Sequence, residues 1–154
     1  MRHLFIGTLA SAALLLSASF FAAVSQSENT IFHTTLSTFS IGTTNIEIAI
    51  ADTPQARRLG LSHLSSLREK QGLLFVFPKS DFHGIWMKDM LFPIDIIWLD
   101  ENLHVVDLSL NVSPDTYPKT FHPKSPARYV LEVNAGFSEK YDVAVGSRAK
   151  WSSR

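Results

Sequence analysis

Ile94-Asp95-Ile96-Ile97-Trp98-Leu99 is an apolar run of strand length, fenced by Pro93 before it and by Asp100-Glu101-Asn102 after it. The proline breaks any helix entering through residues 88–92, and the polar triplet turns the chain after six residues, so the run is a strand. Just upstream, Trp86-Met87-Lys88-Asp89-Met90 passes from apolar to charged within two residues. The fold must therefore place charges where core belongs, and carboxylates in such company need partners or water.

The rest of the chain is punctuated in the same way. Residues 36–41 and 46–50 are short strand candidates joined by Gly42-Thr43-Thr44-Asn45, a cluster with turn chemistry. In the second, Ile46, Ile48 and Ile50 share one face. Thr53-Pro54 opens a helix, because the threonine hydroxyl accepts from the free amides of the first turn and proline at the first position loses no needed donor. The helix runs to about Leu59, Gly60 ends it, and Leu61, Leu64 and Leu67 pin the irregular segment that follows. Arg57 and Arg58 read either as a solvated face where positive charge suits the helix dipole, or as a ligand contact made by one of them.

Residues 73–77 form a central strand closed by Pro78, with a polar loop at 79–81. Residues 82–87 are a further strand whose Gly84 marks a bulge or a close approach. After a strand at 103–110, residues 111–127 hold four prolines together with Tyr117, Phe121 and His122; this length and composition forbid regular structure and suit a lid or rim. Strand resumes at 128–133, a helical turn follows at 137–141, and a last strand lies at 149–152. The sum is mainly β, α+β at the margin: a compact antiparallel β-barrel or sandwich-like single domain with one or two short helices.

Composition narrows the function. Fourteen Lys+Arg balance fourteen Asp+Glu, so no overall field holds a nucleic-acid backbone or an anionic membrane. Met1-Arg2-His3 is a short basic start, residues 4–23 are apolar and small, and Ala23-Val24-Ser25 has the form a signal peptidase accepts. Residues 1–25 are accordingly read as a signal peptide, 26–35 as a flexible lead and 36–154 as the domain, exported to the periplasm or the outside. The rival reading is an uncleaved anchor, since the apolar run approaches the roughly 20 residues that a bilayer needs. Removing residues 1–25 leaves 13 basic against 14 acidic residues. With no cysteine there is neither a lipid-modified cysteine anchor nor a disulfide framework, and the domain is held by its core.

No nucleophile elbow, phosphate loop or His-Glu-x-x-His pair is present, and His3, His33, His63, His83, His104 and His122 never fall at a ligand spacing. No cofactor or resident metal is expected. Asp95, between two isoleucines, is either a structural carboxylate bonded to loop amides or an acid facing a ligand, and Glu132, between Leu131 and Val133, has the same two readings. If the two acids meet across a cleft with their pKa values split, they make an acid/base pair. Trp86 stands where a strand leaves the core, a place for core packing or for a pocket wall, with Met87, Lys88 and Asp89 as neighbours.

The blocks Gly60-Leu61, Gly72-Leu73-Leu74-Phe75-Val76-Phe77-Pro78, Trp86-Met87-Lys88 with Pro93-Ile94-Asp95 and Asp100, and Val130-Leu131-Glu132 with Ala135-Gly136, occur in that order. The chain thereby resembles the domain of unknown function family 192, also called uncharacterised protein family 127, over about residues 44–151. That resemblance implies a β-rich single domain of bacteria and archaea, often behind an export signal, with no established activity. Ser62, Asp89-Met90 and Gly146-Ser147 depart from the family's usual Met, Asn-Thr and Gly-Asp, while Trp86, Lys88, Asp95 and Glu132 keep its pattern.

Three readings follow. The first is a non-enzymatic binding or accessory domain for a saccharide, a peptide or another small molecule, its pocket walled by Trp86, floored by Asp95 and rimmed by Lys88 and the proline-rich loop. The second is an acid/base hydrolase using Asp95 and Glu132. The third is a structural or assembly protein of the cell envelope.

Overall fold

The computed structural model describes residues 37–152; the export segment expected at 1–25 and the lead expected at 26–35 lie outside the described residues. Strands β1 (Ser37–Ile41) and β2 (Thr44–Ala51) form the expected hairpin, with Ile41 opposite Thr44 around a turn in which Gly42 takes φ +56°. Helix α1 (Pro54–Leu59) follows with the boundaries its capping chemistry implies. Thr53 Oγ1 accepts from the Ala56 amide at 3.1 Å, and Gly60 closes the helix at φ +54°.

Strand β3 (Gln71–Asp81) returns parallel to β2, the one parallel pairing in a large sheet that is otherwise antiparallel as expected. It does not stop at Pro78. Its ladder with β8 (Ala127–Asn134) lapses between Val76 and Asp81, and a proline in that gap withholds no amide that the ladder needs. The strand expected at 82–87 shrinks to β4 (Ile85–Trp86), which pairs only with β7 (Thr120–Phe121). That second strand lies inside the proline-rich segment read as irregular, which also holds a 3-10 turn at Pro114–Thr116. Gly84 permits the ribbon: a Cβ there would sit 2.5 Å from His122 Cε1 and 2.6 Å from Thr120 Cγ2.

Strand β5 (Ile94–Leu99) lies between β6 (Val105–Val112) and β8, the order of the large sheet being β6-β5-β8-β3-β2-β1-β9, with β9 at Lys150–Ser152. The sheet is therefore not a closed barrel. It is sandwich-like, each of its faces carrying its own core. Ile94, Ile96, Trp98, Leu73, Phe75 and Val130 pack on one face beneath Leu61, Leu64, Leu67, Ile85, Met87 and Met90. Ile97, Leu99, Leu74, Leu131 and Val133 pack on the other with Phe39, Ile41, Phe137, Val143 and Ala149. Phe137 opens the short helix α2 (Phe137–Lys140).

All six β5 residues are buried, which is why this run shows no alternation of apolar with exposed polar positions. Trp98 is inaccessible, and its Nε1–H donates to the His83 carbonyl at 3.0 Å, tying the β3–β4 connection to the core.

The final segment ties the two edges of the large sheet together. Gly146 donates to the Val105 carbonyl, Val105 to Ser147 and Ala149 to Leu103, after which β9 pairs antiparallel with β1.

Candidate functional site

Register decides which acid faces what. In the antiparallel pairing of β5 with β8, Asp95 lies opposite Val133 and Ile96 opposite Glu132, so the two carboxyls project from opposite faces of the sheet. Asp95 is completely buried and accepts three backbone amides: Asn111 at 2.9 Å and Gly136 at 3.2 Å on Oδ1, and Ser138 at 2.8 Å on Oδ2. It joins the end of β6 and the first turn of α2 to β5. Asp95 is thus a structural carboxylate rather than the floor of a pocket, and the acid/base pair with Glu132 is not assembled.

Glu132 has the opposite circumstances. It is 4% exposed, its Oε2 has no hydrogen-bond partner, and it lines a cavity of about 50 Å³ with Gly60, Leu61, Phe75 and Met90. Burial alone pushes its pKa up to about 8, so the side chain is a neutral carboxylic acid at pH 7. Gly60 keeps the cavity open. A Cβ on it would stand 3.9 Å from Glu132 Oε2 and 3.4 Å from Phe75 Cζ, and its φ of +54° is one that L side chains rarely adopt.

Arg57, Arg58, Phe75, Gly84, Ile85 and Trp86 line this cavity and also a more open cleft of about 520 Å³, which extends to Phe77 and Gln55. The cleft is large enough for a small ligand. Its two arginines differ. Arg57 Nη1 donates to the carbonyls of Asp52 at 2.6 Å and Val76 at 2.8 Å, and the guanidinium lies 5.3 Å from the Phe77 ring centroid, which fastens α1 to β3. Arg58 is exposed and has no hydrogen bond or ion pair among the described residues.

Trp86 is 44% exposed, and Tyr117 of the proline-rich segment meets it edge to face at 6.1 Å between centroids. Through Tyr117 the proline-rich segment packs against Trp86. It is held by the Asp107 carboxylate, which accepts from the Lys124 amide at 2.8 Å, and by His122, whose Nδ1 lies 3.1 Å from the Phe82 carbonyl.

The remaining residues singled out in the sequence divide between surface and core. Lys88 and Asp89 form an exposed ion pair in which each holds the other charged, the ammonium pKa raised and the carboxylate pKa lowered. Their turn is braced by Ser62, whose Oγ donates to the Lys88 carbonyl at 2.8 Å, and by the His63 amide, which donates to the Asp89 carbonyl at 2.9 Å. Met87 is 1% exposed and belongs to the core, not to the cleft. Among the described residues no three His, Asp or Glu side chains converge as a metal site would require. Of the residues singled out in the sequence, Trp86 and Glu132 line the cleft or the cavity at its base, and Arg58 and Gly60 join them from the end of α1.

Fold and site define a class: a small domain built on a two-faced mixed sheet, with an aromatic and basic cleft above one buried acid. The chain belongs to the DUF192 family, described as an uncharacterized ACR, whose model matches residues 37–151. It is 34% identical over 113 residues to a UPF0127 protein of Pyrococcus furiosus, a match covering 70% of this chain and 88% of that protein. A UPF0127 protein of Pyrococcus horikoshii is 33% identical over 110 residues, covering 68% and 87% respectively. Two crystal structures share the fold at low identity. One, from Sinorhizobium meliloti and described as a candidate transcription regulator, has TM-score 0.72 and 23% identity, covering 75% of this chain and 93% of that one. The other, a protein of unknown function from Novosphingobium aromaticivorans, has TM-score 0.71 and 22% identity, covering 75% and 85%.

Proposed function

We propose that this chain is an exported, non-enzymatic binding domain that holds a saccharide or peptide fragment in the cleft between α1 and the β4–β7 ribbon. The observation that carries the reading is half-exposed Trp86, with Tyr117 edge to face against it, lining the same cavity as the buried Glu132, whose Oε2 has no partner. Aromatic faces at the rim offer stacking area, and an unsatisfied polar atom beneath supplies directional recognition. Lys88 belongs to the outer rim, and Asp95 acts only by holding the scaffold. The basic start and apolar run of residues 1–25 support export, and the balance of 14 basic and 14 acidic residues argues against nucleic acid as the partner.

The test is thermal melting of the full chain with sugars, peptidoglycan fragments and short peptides, beside Trp86→Ala. A ligand at about 100 times its Kd stabilises the folded state by roughly 2.7 kcal/mol. Because Trp86 is half exposed, its loss should leave the fold intact while removing the shift. A shift that survives in Trp86→Ala, or no shift with any compound, overturns the reading.

A further inference from the structure

The charges around the cleft select among the ligands just named. Its mouth carries the Arg57 and Arg58 guanidiniums, with the Lys88 ammonium close enough to Arg58 for the two to repel. Asp89, on the neighbouring turn, is already paired with Lys88. A cationic ligand would have to pass these charges to reach Glu132, whereas an anionic one is drawn in. Arg57 is spent on two carbonyls, but Arg58 has all its donors free of partners among the described residues.

At the base, a buried carboxylic acid offers one O–H donor. The cavity above it, about 50 Å³, has the size of a small polar head group rather than of a ring, and the 520 Å³ cleft outside takes the ring or backbone attached to that group. The dimensions and the donors thus describe a ligand with an acidic head and a flat body.

We infer that the cleft binds a carboxylate-bearing ligand, one carboxylate oxygen accepting a hydrogen bond from the Glu132 O–H and the other facing Arg58, with the body of the ligand against Trp86. This rests on the binding reading above and narrows it to acids. Sugar acids and peptide C-termini share the head group. The proton stays on Glu132 throughout, so binding needs Glu132 neutral and weakens once it ionises, when two anions meet in one small cavity.

Other titratable groups stand on the elements around it: Arg57 and Arg58 line the cleft, Tyr117 meets Trp86, His83 stacks on Phe77, His122 stands beside Gly84, and Lys88 and Asp89 pair on the turn braced by the His63 amide. Glu132→Gln separates their titration from that of Glu132. It keeps a donor at the base, removes the ionisation and leaves every other group in place.

The experiment is calorimetric titration of the full chain with galacturonate against galactose, and with acetyl-alanyl-alanine against its C-terminal amide, at pH 6.5 and at pH 9. The acid of at least one pair should bind about tenfold or more tighter than its neutral counterpart at pH 6.5, and the pair that does so names the source of the head group. Affinity for that acid should fall about tenfold for each pH unit above 8 in the wild type and stay flat in Glu132→Gln. Arg58→Ala should remove most of the preference for the acid. Acid and neutral partners binding alike at pH 6.5, or no binding of any of the four, overturns the carboxylate assignment; the binding reading itself stands or falls on the melting screen above. A pH profile that persists in Glu132→Gln assigns the dependence to another group and overturns the role given to Glu132.

Discussion

Asp95 and Glu132 stand one register step apart on adjacent strands and point to opposite faces of the same sheet, the first wrapped in three amide donors, the second with an oxygen that meets none. The same side-chain chemistry therefore does two different jobs in one strand pair.

Asp95→Ala should be severely destabilising, because it strands three buried or half-buried amides that now donate to one side chain. The expected loss is about 3 kcal/mol or more. Asp95→Asn keeps one acceptor oxygen and should fall between the alanine variant and the wild type. Urea unfolding measures all three; an alanine variant as stable as the wild type would show that the loops hold without this anchor.

Glu132 makes stability depend on pH in a predictable direction. Its folded-state pKa of about 8 lies above the ordinary 4.5, so the folded protein holds a proton that the unfolded chain releases between those values. The contribution is therefore complete below about pH 4.5 and is lost progressively as pH rises toward 8, after which the curve levels. From pH 5.5 to 8.5 the decline from this group is roughly 3 kcal/mol. Glu132→Gln should lack that component, and urea midpoints of the two proteins at both pH values test it; parallel curves would refute the burial argument.

Adjacent arginines should behave differently. Arg57→Ala removes two hydrogen bonds and a ring contact that fasten α1 to β3, at an expected cost of about 1–2 kcal/mol. Arg58→Ala touches no such bond and should change stability by less than about 0.5 kcal/mol. Equal losses in thermal melts of the two variants would contradict the assignment of Arg57 to structure and Arg58 to the cleft.

Gly60→Ala combines backbone strain at φ +54° with a methyl directed toward Phe75 and Glu132. A cost of about 1–3 kcal/mol is expected. Hydrogen exchange should place the loosening at the end of α1 and the segment after it, not at the β1–β2 hairpin.

Local chemistry made some of this readable from residues alone, and tertiary context hid the rest. Helix α1 could be bounded because Thr53, Pro54 and Gly60 act through neighbours only a few positions away. The roles of Asp95 and Glu132 could not be separated. Alternation identifies a face, and here both faces of the sheet are core, so each acid looked equally placed for solvent or for a pocket. Pro78 misled because the gap it occupies in the β3–β8 ladder is a property of the partner strand. Arg58 lines the cleft and Tyr117 reaches Trp86 because α1 and the proline-rich segment approach it; the residues alone allowed an arginine contact and a lid or rim but not which arginine or which aromatic. Trp86 and Glu132 were visible as chemistry out of place; their common cleft was not.

The bridge from β6 across to β1 has a consequence in time. Phe39 lies opposite Trp151, so the edge of the large sheet is completed by pairing strands from nearly opposite ends of the described chain. Such a contact closes a very long loop, and its entropy is lost before the contact repays it. A ribosome still gripping β9 would therefore keep the sheet's edge unsealed while the rest of the sheet is already free to form.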